Sequence, residues 1–236
     1  MGLSMQDRYA GDVGDYVKLA LLRHLSGAGR KLGIAWYLHP DTTGGGHIRY
    51  LSDPARWRHL DDKLFDALAR IAGGQRSTAA LQAASVLDAI YSGERLDCTA
   101  VTYIDRDRWR HDWFKHVLRN LAECDLVFAD PDNGLVDDRP ERRRRAVFCK
   151  QIPLNEATEL AKDRTAVIYH HNTRRRGGHD EEIRWWIGQL GANSIAVRAN
   201  AYTCRTFFIM NPDGEIRERA ESFCQRWKKH RVSFVG

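Results

Sequence analysis

The sequence predicts an α/β protein built on a doubly wound, mostly parallel sheet. Three observations predict it. Apolar segments of strand length alternate with amphipathic segments of helix length. Segments such as Leu126-Val127-Phe128-Ala129 are apolar at every position, as strands covered on both faces are. Polar and acidic residues follow these segments directly, where open α/β sheets bind ligands. The 236 residues suit one domain. A chain of this size hides roughly 70–75% of its extended surface, enough for one core without disulfides or metals.

Apolar periodicity sets the elements in order. A helix is expected over 13–25, with Val17, Ala20, Leu21 and His24 on one stripe. Residues 34–38 read as a short buried strand. It runs into His39-Pro40-Asp41-Thr42-Thr43-Gly44-Gly45-Gly46, a loop rich in breakers. Helices over 61–72 and 78–91 follow, then a strand over 101–104 ending at Asp105. A helix over 109–122 leads to a strand over 126–129, which stops at Asp130-Pro131-Asp132-Asn133-Gly134. A helix over 155–162 leads to a strand over 166–169, which stops at His170-His171-Asn172. A helix over 180–190 precedes strands over 194–198 and 206–210, close enough to form a hairpin. The last helix spans 215–228.

Composition narrows the function classes. Lys plus Arg number 37 against 31 for Asp plus Glu, a net charge of +6, and 29 of the 37 are arginine. Arginine favours planar, bidentate partners such as phosphate and carboxylate, so the excess points toward nucleic acid. No apolar run approaches the roughly 18 residues of a membrane span, and no membrane partner is expected. The first nine residues are polar without a signal-peptide core, and Gln6 stands where a myristoylation site needs Ser or Thr. A cytoplasmic location is expected. The five cysteines form no C-x-x-C pair, which argues against a zinc ribbon and a disulfide scaffold and for reduced, mostly buried thiols.

Several constellations carry chemistry. The glycines of Thr42-Thr43-Gly44-Gly45-Gly46-His47 let a backbone approach a ligand, or simply form a flexible turn. The segment lacks both G-x-G-x-x-G spacing and a Walker lysine. A carboxylate at Asp130 or Asp132 suits an N–H of a nucleobase or amine, or a metal; Asn133-Gly134 is equally a turn signal. His170 and His171 suit metal ligation, general-base work or plain structural hydrogen bonding. Adjacent strand residues point to opposite faces, so at most one faces a cleft. The runs Arg142 to Arg145 and Arg174 to Arg176 suit phosphate contact or a solvated surface. Trp109, Trp113, Trp185 and Trp186 sit in amphipathic segments and are expected to pack. Tyr9-Ala10-Gly11-Asp12-Val13-Gly14-Asp15-Tyr16-Val17-Lys18 caps the first helix, shapes a pocket, or does both.

That last segment resembles the His-Ala-Gly-Asn-x-Ala-Asp-x-x-Lys opening of the RlmJ family of ribosomal RNA adenine-N6 methyltransferases. Ala35-Trp36-Tyr37-Leu38-His39-Pro40-Asp41 with Gly44, Gly45 and Gly46 is similar to that family's first strand and its S-adenosylmethionine loop. A helical insertion follows, here at about 52–95. Asp130-Pro131-Asp132-Asn133 stands where the family has its catalytic Asp-Pro-Pro-Tyr. Ile168-Tyr169 and Phe208-Ile209-Met210-Asn211-Pro212 match its late strands. The resemblance implies a Rossmann-like class I methyltransferase fold and S-adenosylmethionine as cofactor. It implies Asp12, Lys18, Asp41, Gly44, Gly45 and Gly46 at the cofactor, with Asp105 as the candidate acid for the ribose. In the family the acid binds the target amine, the prolines fix the turn and the aromatic stacks on a flipped adenine. Here Asp132 replaces the second proline and Asn133 replaces the aromatic.

The expected function is S-adenosylmethionine-dependent methylation of a nucleic-acid amine, preferably RNA. Asp130, Pro131, Asp132 and Asn133 would form the catalytic turn, with Arg174, Arg175, Arg176 and His170 on the substrate. One alternative is a metal-dependent phosphodiesterase or nuclease, with Asp130, Asp132, His170 and His171 around a divalent ion. Another is a non-catalytic nucleic-acid-binding descendant of the fold.

Overall fold

The computed structural model describes residues 7–39 and 46–236. The first long helix, α1 (Val13–Ser26), begins where the Asp12 carboxylate accepts the Asp15 N–H and stops at Gly27, whose φ of +55° an L side chain resists. Strand β1 (Leu32–Trp36) follows. Next come the short helices α2 (Pro54–Trp57), α3 (Asp62–Gly73) and α4 (Thr78–Ala83), capped by Asp53, Asp61 and Ser77. Strand β2 (Ala89–Ser92), helix α5 (Arg106–Asn120) and strand β3 (Leu126–Asp130) complete the first half. The second half runs β4 (Gly134–Val136), α6 (Pro140–Arg143), β5 (Gln151–Pro153), α7 (Leu154–Leu160) and β6 (Thr165–His171). It closes with α8 (Gly178–Leu190), β7 (Ile195–Ala199), β8 (Arg205–Met210), α9 (Gly214–Trp227) and β9 (Val232–Val235).

Seven strands form one sheet in the order β2-β1-β3-β6-β8-β7-β9, and β4 and β5 pair apart from it. The neighbours from β2 to β6 are parallel. Strand β8 runs antiparallel to both β6 and β7, and β9 antiparallel to β7. The expected α/β architecture with a mostly parallel, Rossmann-like sheet is therefore present, and so is the expected hairpin of β7 and β8.

Period-two alternation divides the core between the two faces. Ile34, Trp36, Phe128, Val167, Phe207 and Ile209 pack with α1, α3 and α9 on one face. Ala35, Val127, Ala129, Ile168, Phe208 and Met210 pack with α5, α7 and α8 on the other. Strands buried on both faces need no polar positions, which is why they read as continuous apolar runs. Trp113 and Trp186 are buried in the second cluster, and Trp109 and Trp185 pack against it, as expected. Four of the five free cysteines are buried, Cys204 being partly so.

Two expectations fail here. The helix over 78–91 ends at Ala83; Ser85 turns at φ +48°, and Ala89–Ser92 becomes the strand that pairs with β1. The insertion at about 52–95 is thus helical only in its first part. The strand over 101–104 does not form. That segment is a turn closed by the Thr102 hydroxyl on the Asp105 carboxylate, with Tyr103 56% and Ile104 75% exposed. The position beside β1 is filled by β2, and the segment joins neither edge of the sheet.

Candidate active site

A cleft of about 430 Å³ opens at the carboxyl ends of β1, β3 and β6, where the strand order of such sheets places ligands. Each wall comes from a different element. The first turns of α1 bring Asp12, Gly14, Asp15 and Lys18, and β1 ends with Trp36. The turn after β3 brings Asp130, Pro131, Asp132 and Asn133, and the end of β6 brings Tyr169 and His171. Strand β8 is antiparallel, so its first residue, Arg205, reaches the same edge.

Lys18 sits at the centre of the charge pattern. Its Nζ lies 2.7 Å from Asp15 Oδ1 and 2.8 Å from Asp130 Oδ2, and 5.1 Å from the centre of the Trp36 ring. Burial pulls an ammonium down, but the charges of Asp130 and Asp15 and their hydrogen bonds outweigh it, so Lys18 is held above the usual lysine range. Burial pushes the Asp130 carboxyl up, and Lys18 offsets only part of that. Burial, with Asp15 second, also raises Asp12, while Arg205 and Lys18 pull it back. Asp15 is anchored by the Gly11 N–H at 3.0 Å, a contact made possible by a turn at φ +82° that suits glycine.

The turn after β3 is held from outside. The Asn133 N–H donates to the Lys150 carbonyl at 2.8 Å, and the Lys150 ammonium lies 3.6 Å from Asp132. Gly134 takes φ +86°, and a Cβ there would lie 2.5 Å from the His170 Cα, so the position suits only glycine. At the end of β6, burial and then the nearby Arg205 lower the His171 imidazole, favouring its neutral form. Burial pushes the Tyr169 phenol up to about 12.

The structure brings Asp12, Lys18, Asp130, Pro131, Asp132 and Asn133 into one cleft. Gly46 stands beside it, where a Cβ would lie 2.7 Å from the Asp12 Cβ. Asp41, Gly44 and Gly45 lie outside the described residues. Asp105 is elsewhere: it is exposed ahead of α5, because the strand that was to carry it is absent. Arg174, Arg175 and Arg176 occupy an exposed loop after β6 and do not line the cleft; Arg175 lies 4.0 Å over the Trp185 ring.

His170 is not a cleft residue either. Alternation along β6 turns it to the opposite face, where it is 1% exposed between Trp186 and Phe208. Its Nδ1 accepts the Leu135 N–H at 3.0 Å, which assigns the ring proton to Nε2, 3.2 Å from Glu182 Oε1. Both nitrogens are used, so the substrate and metal roles expected of His170 have no atom to act through. Among the described residues, no three His, Cys, Asp or Glu side chains are grouped as metal ligands.

Arg205 lines the cleft as well, although no motif in the sequence marks it. One signal was available: it is a lone arginine opening the apolar run Thr206-Phe207-Phe208-Ile209-Met210. No helix among the described residues is long and apolar enough to cross a membrane. No protein-family model and no curated protein matches this chain.

Proposed function

We propose that this chain is an S-adenosylmethionine-dependent methyltransferase acting on an amine of nucleic acid, with RNA favoured by its resemblance to the RlmJ family. One observation carries the reading. The two segments that resemble the family's N-terminal and catalytic motifs supply Lys18 and Asp130, 112 residues apart, and these meet at 2.8 Å in the cleft. Nothing in the packing of a plain α/β sheet requires that meeting.

The residues present suit the cofactor. The cleft volume falls in the range of small-molecule sites, and its carboxylates favour a cation. Asp12 would lie against the cofactor, with Gly46 leaving room beside it. When bound, S-adenosylmethionine supplies an electrophilic methyl group on a positively charged sulfur. Asp130 accepts an N–H of the target amine and so orients the nitrogen lone pair. Lys18 holds Asp130 in that position. His171, favoured in its neutral form, lines the same cleft as an acceptor for the departing proton. Asp132 takes the place of a proline but is tied to Lys150, which keeps the turn in place.

The test is calorimetric titration with S-adenosylmethionine in chelator-treated buffer, followed by transfer of labelled methyl groups to RNA. Asp130→Asn should keep cofactor binding and lower transfer by about 100-fold or more, the scale of losing a positioned acceptor. No binding by the wild type at millimolar cofactor sinks the proposal. The metal-dependent phosphodiesterase has no specific observation in its favour among the described residues.

A further inference from the structure

Arg205 carries chemistry that no structural role uses. The residue is 4% exposed, yet among the described residues only one of its side-chain nitrogens has an acceptor: Nη2 donates to the Thr203 hydroxyl. Nε and Nη1 are buried and have no hydrogen-bond partner among the described residues. A buried charged donor left unpaired is costly, so its persistence calls for a ligand. Arg205 lines the cleft, and the backbone of α1 is shaped around it. A Cβ on Gly14 would lie 2.5 Å from Arg205 Nη1 and 2.9 Å from its Cζ.

The surroundings select the ligand. Asp12, Asp15, Asp130 and Asp132 line the same cleft, while Lys18 is already shared by Asp15 and Asp130. A phosphate placed on Arg205 would face this cluster of carboxylates. A zwitterion would not suffer that repulsion, because its cationic end meets an acid. Asp12 is the adjacent acid: its Oδ1 lies 2.9 Å from the same Cβ position on Gly14 that Arg205 crowds.

We infer that Arg205 and Asp12 together hold an α-amino-acid group, the carboxylate on Arg205 Nη1 and the ammonium on Asp12. The inference deepens the proposed function, on which it rests: the group is the amino-acid end of S-adenosylmethionine. Nη1 is the donor beside Asp12, since both crowd the same Cβ position on Gly14, and a guanidinium N–H on a carboxylate makes a charge-assisted hydrogen bond.

The experiment compares S-adenosylmethionine with its decarboxylated form, by calorimetry on the full chain. The wild type should prefer the carboxylate-bearing form by about 10- to 100-fold, the worth of a charged hydrogen bond. Arg205→Met should erase that preference, and Arg205→Lys should restore only part of it. Gly14→Ala is the second variant, because it leaves Arg205 chemically intact and raises helix propensity while displacing the guanidinium. It should erase the preference too. No preference in the wild type, or a preference that survives in both Arg205→Met and Gly14→Ala, overturns the inference.

If the wild type does not bind S-adenosylmethionine at all, the methyltransferase proposal fails, and Arg205 is judged separately. The Arg205 Nε–H resonance is then followed by NMR against free L-methionine and inorganic phosphate. A shift with L-methionine and not with phosphate supports an amino-acid site. A shift with phosphate alone, or with neither at millimolar concentration, overturns it.

Discussion

Lys18 joins the N-terminal motif to the end of β3, and its removal exposes what it compensates. Lys18→Met would leave Asp15 and Asp130 buried without their shared counter-charge. Breaking a buried ion pair from one side costs about 3–5 kcal/mol, and the loss should appear as a lower midpoint in urea unfolding at neutral pH. An unchanged midpoint would mean the acids are solvated in solution. Glu182 gives a second residue-scale prediction. Burial raises its carboxyl, but hydrogen bonds from His170 and Thr173 outweigh burial and hold it down at about 2. The ionised form is therefore favoured by folding. Its contribution is complete above the ordinary glutamate range and is lost as pH falls toward 2. Glu182→Gln should lower stability near neutral pH and flatten the stability curve between about pH 4.5 and 2. An acid limb as steep as that of the wild type would contradict this assignment.

Turns decide more than regular elements do. Gly134 joins β3 to β4 with φ +86° and packs directly on His170. Gly134→Ala combines a left-handed backbone with a clash against main chain, and should cost about 2–4 kcal/mol by thermal or urea unfolding. Loss below about 1 kcal/mol would mean the turn relaxes freely. The regular elements were largely legible. Apolar stripes located α1, α3, α5, α8 and α9, and continuous apolar runs located β1, β3, β6 and β8. The failures have physical causes. Residues 78–91 are rich in Ala and Leu and read as one helix by propensity, yet β1 needs a partner and Ala89–Ser92 fills that place. Val101 to Ile104 has the β-branched and aromatic composition of a strand, but composition without pairing makes none, and the segment forms a turn with Tyr103 and Ile104 exposed.

Across the whole molecule, the charged cleft and the arginine loop after β6 share one edge of the sheet. Under the proposed function a polyanion would lie along that edge with one nucleotide directed inward. Replacing Arg174, Arg175 and Arg176 by Ala should weaken RNA binding across sequences and reduce the salt slope by about 2. Affinity for S-adenosylmethionine should not change, because none of the three lines the cleft. An unchanged salt slope would remove this loop from the nucleic-acid surface.

By itself the sequence determined the α/β class, the parallel core strands and the carboxylates at their ends, because hydrophobic period and turn chemistry are local properties. Asp12, Lys18 and the Asp130 turn were singled out through a resemblance of short motifs, and all of them line the cleft. The tertiary structure alone decided which of these residues meet. The Lys18–Asp130 contact spans 112 residues, and no local pattern encodes it. Alternation along β6 sent His170 into the core and left His171 in the cleft, which could be settled only once strand ends and register were known. Arg205 entered the site because β8 runs antiparallel, and that direction follows from pairing with β6 and β7 rather than from any residue in β8 itself.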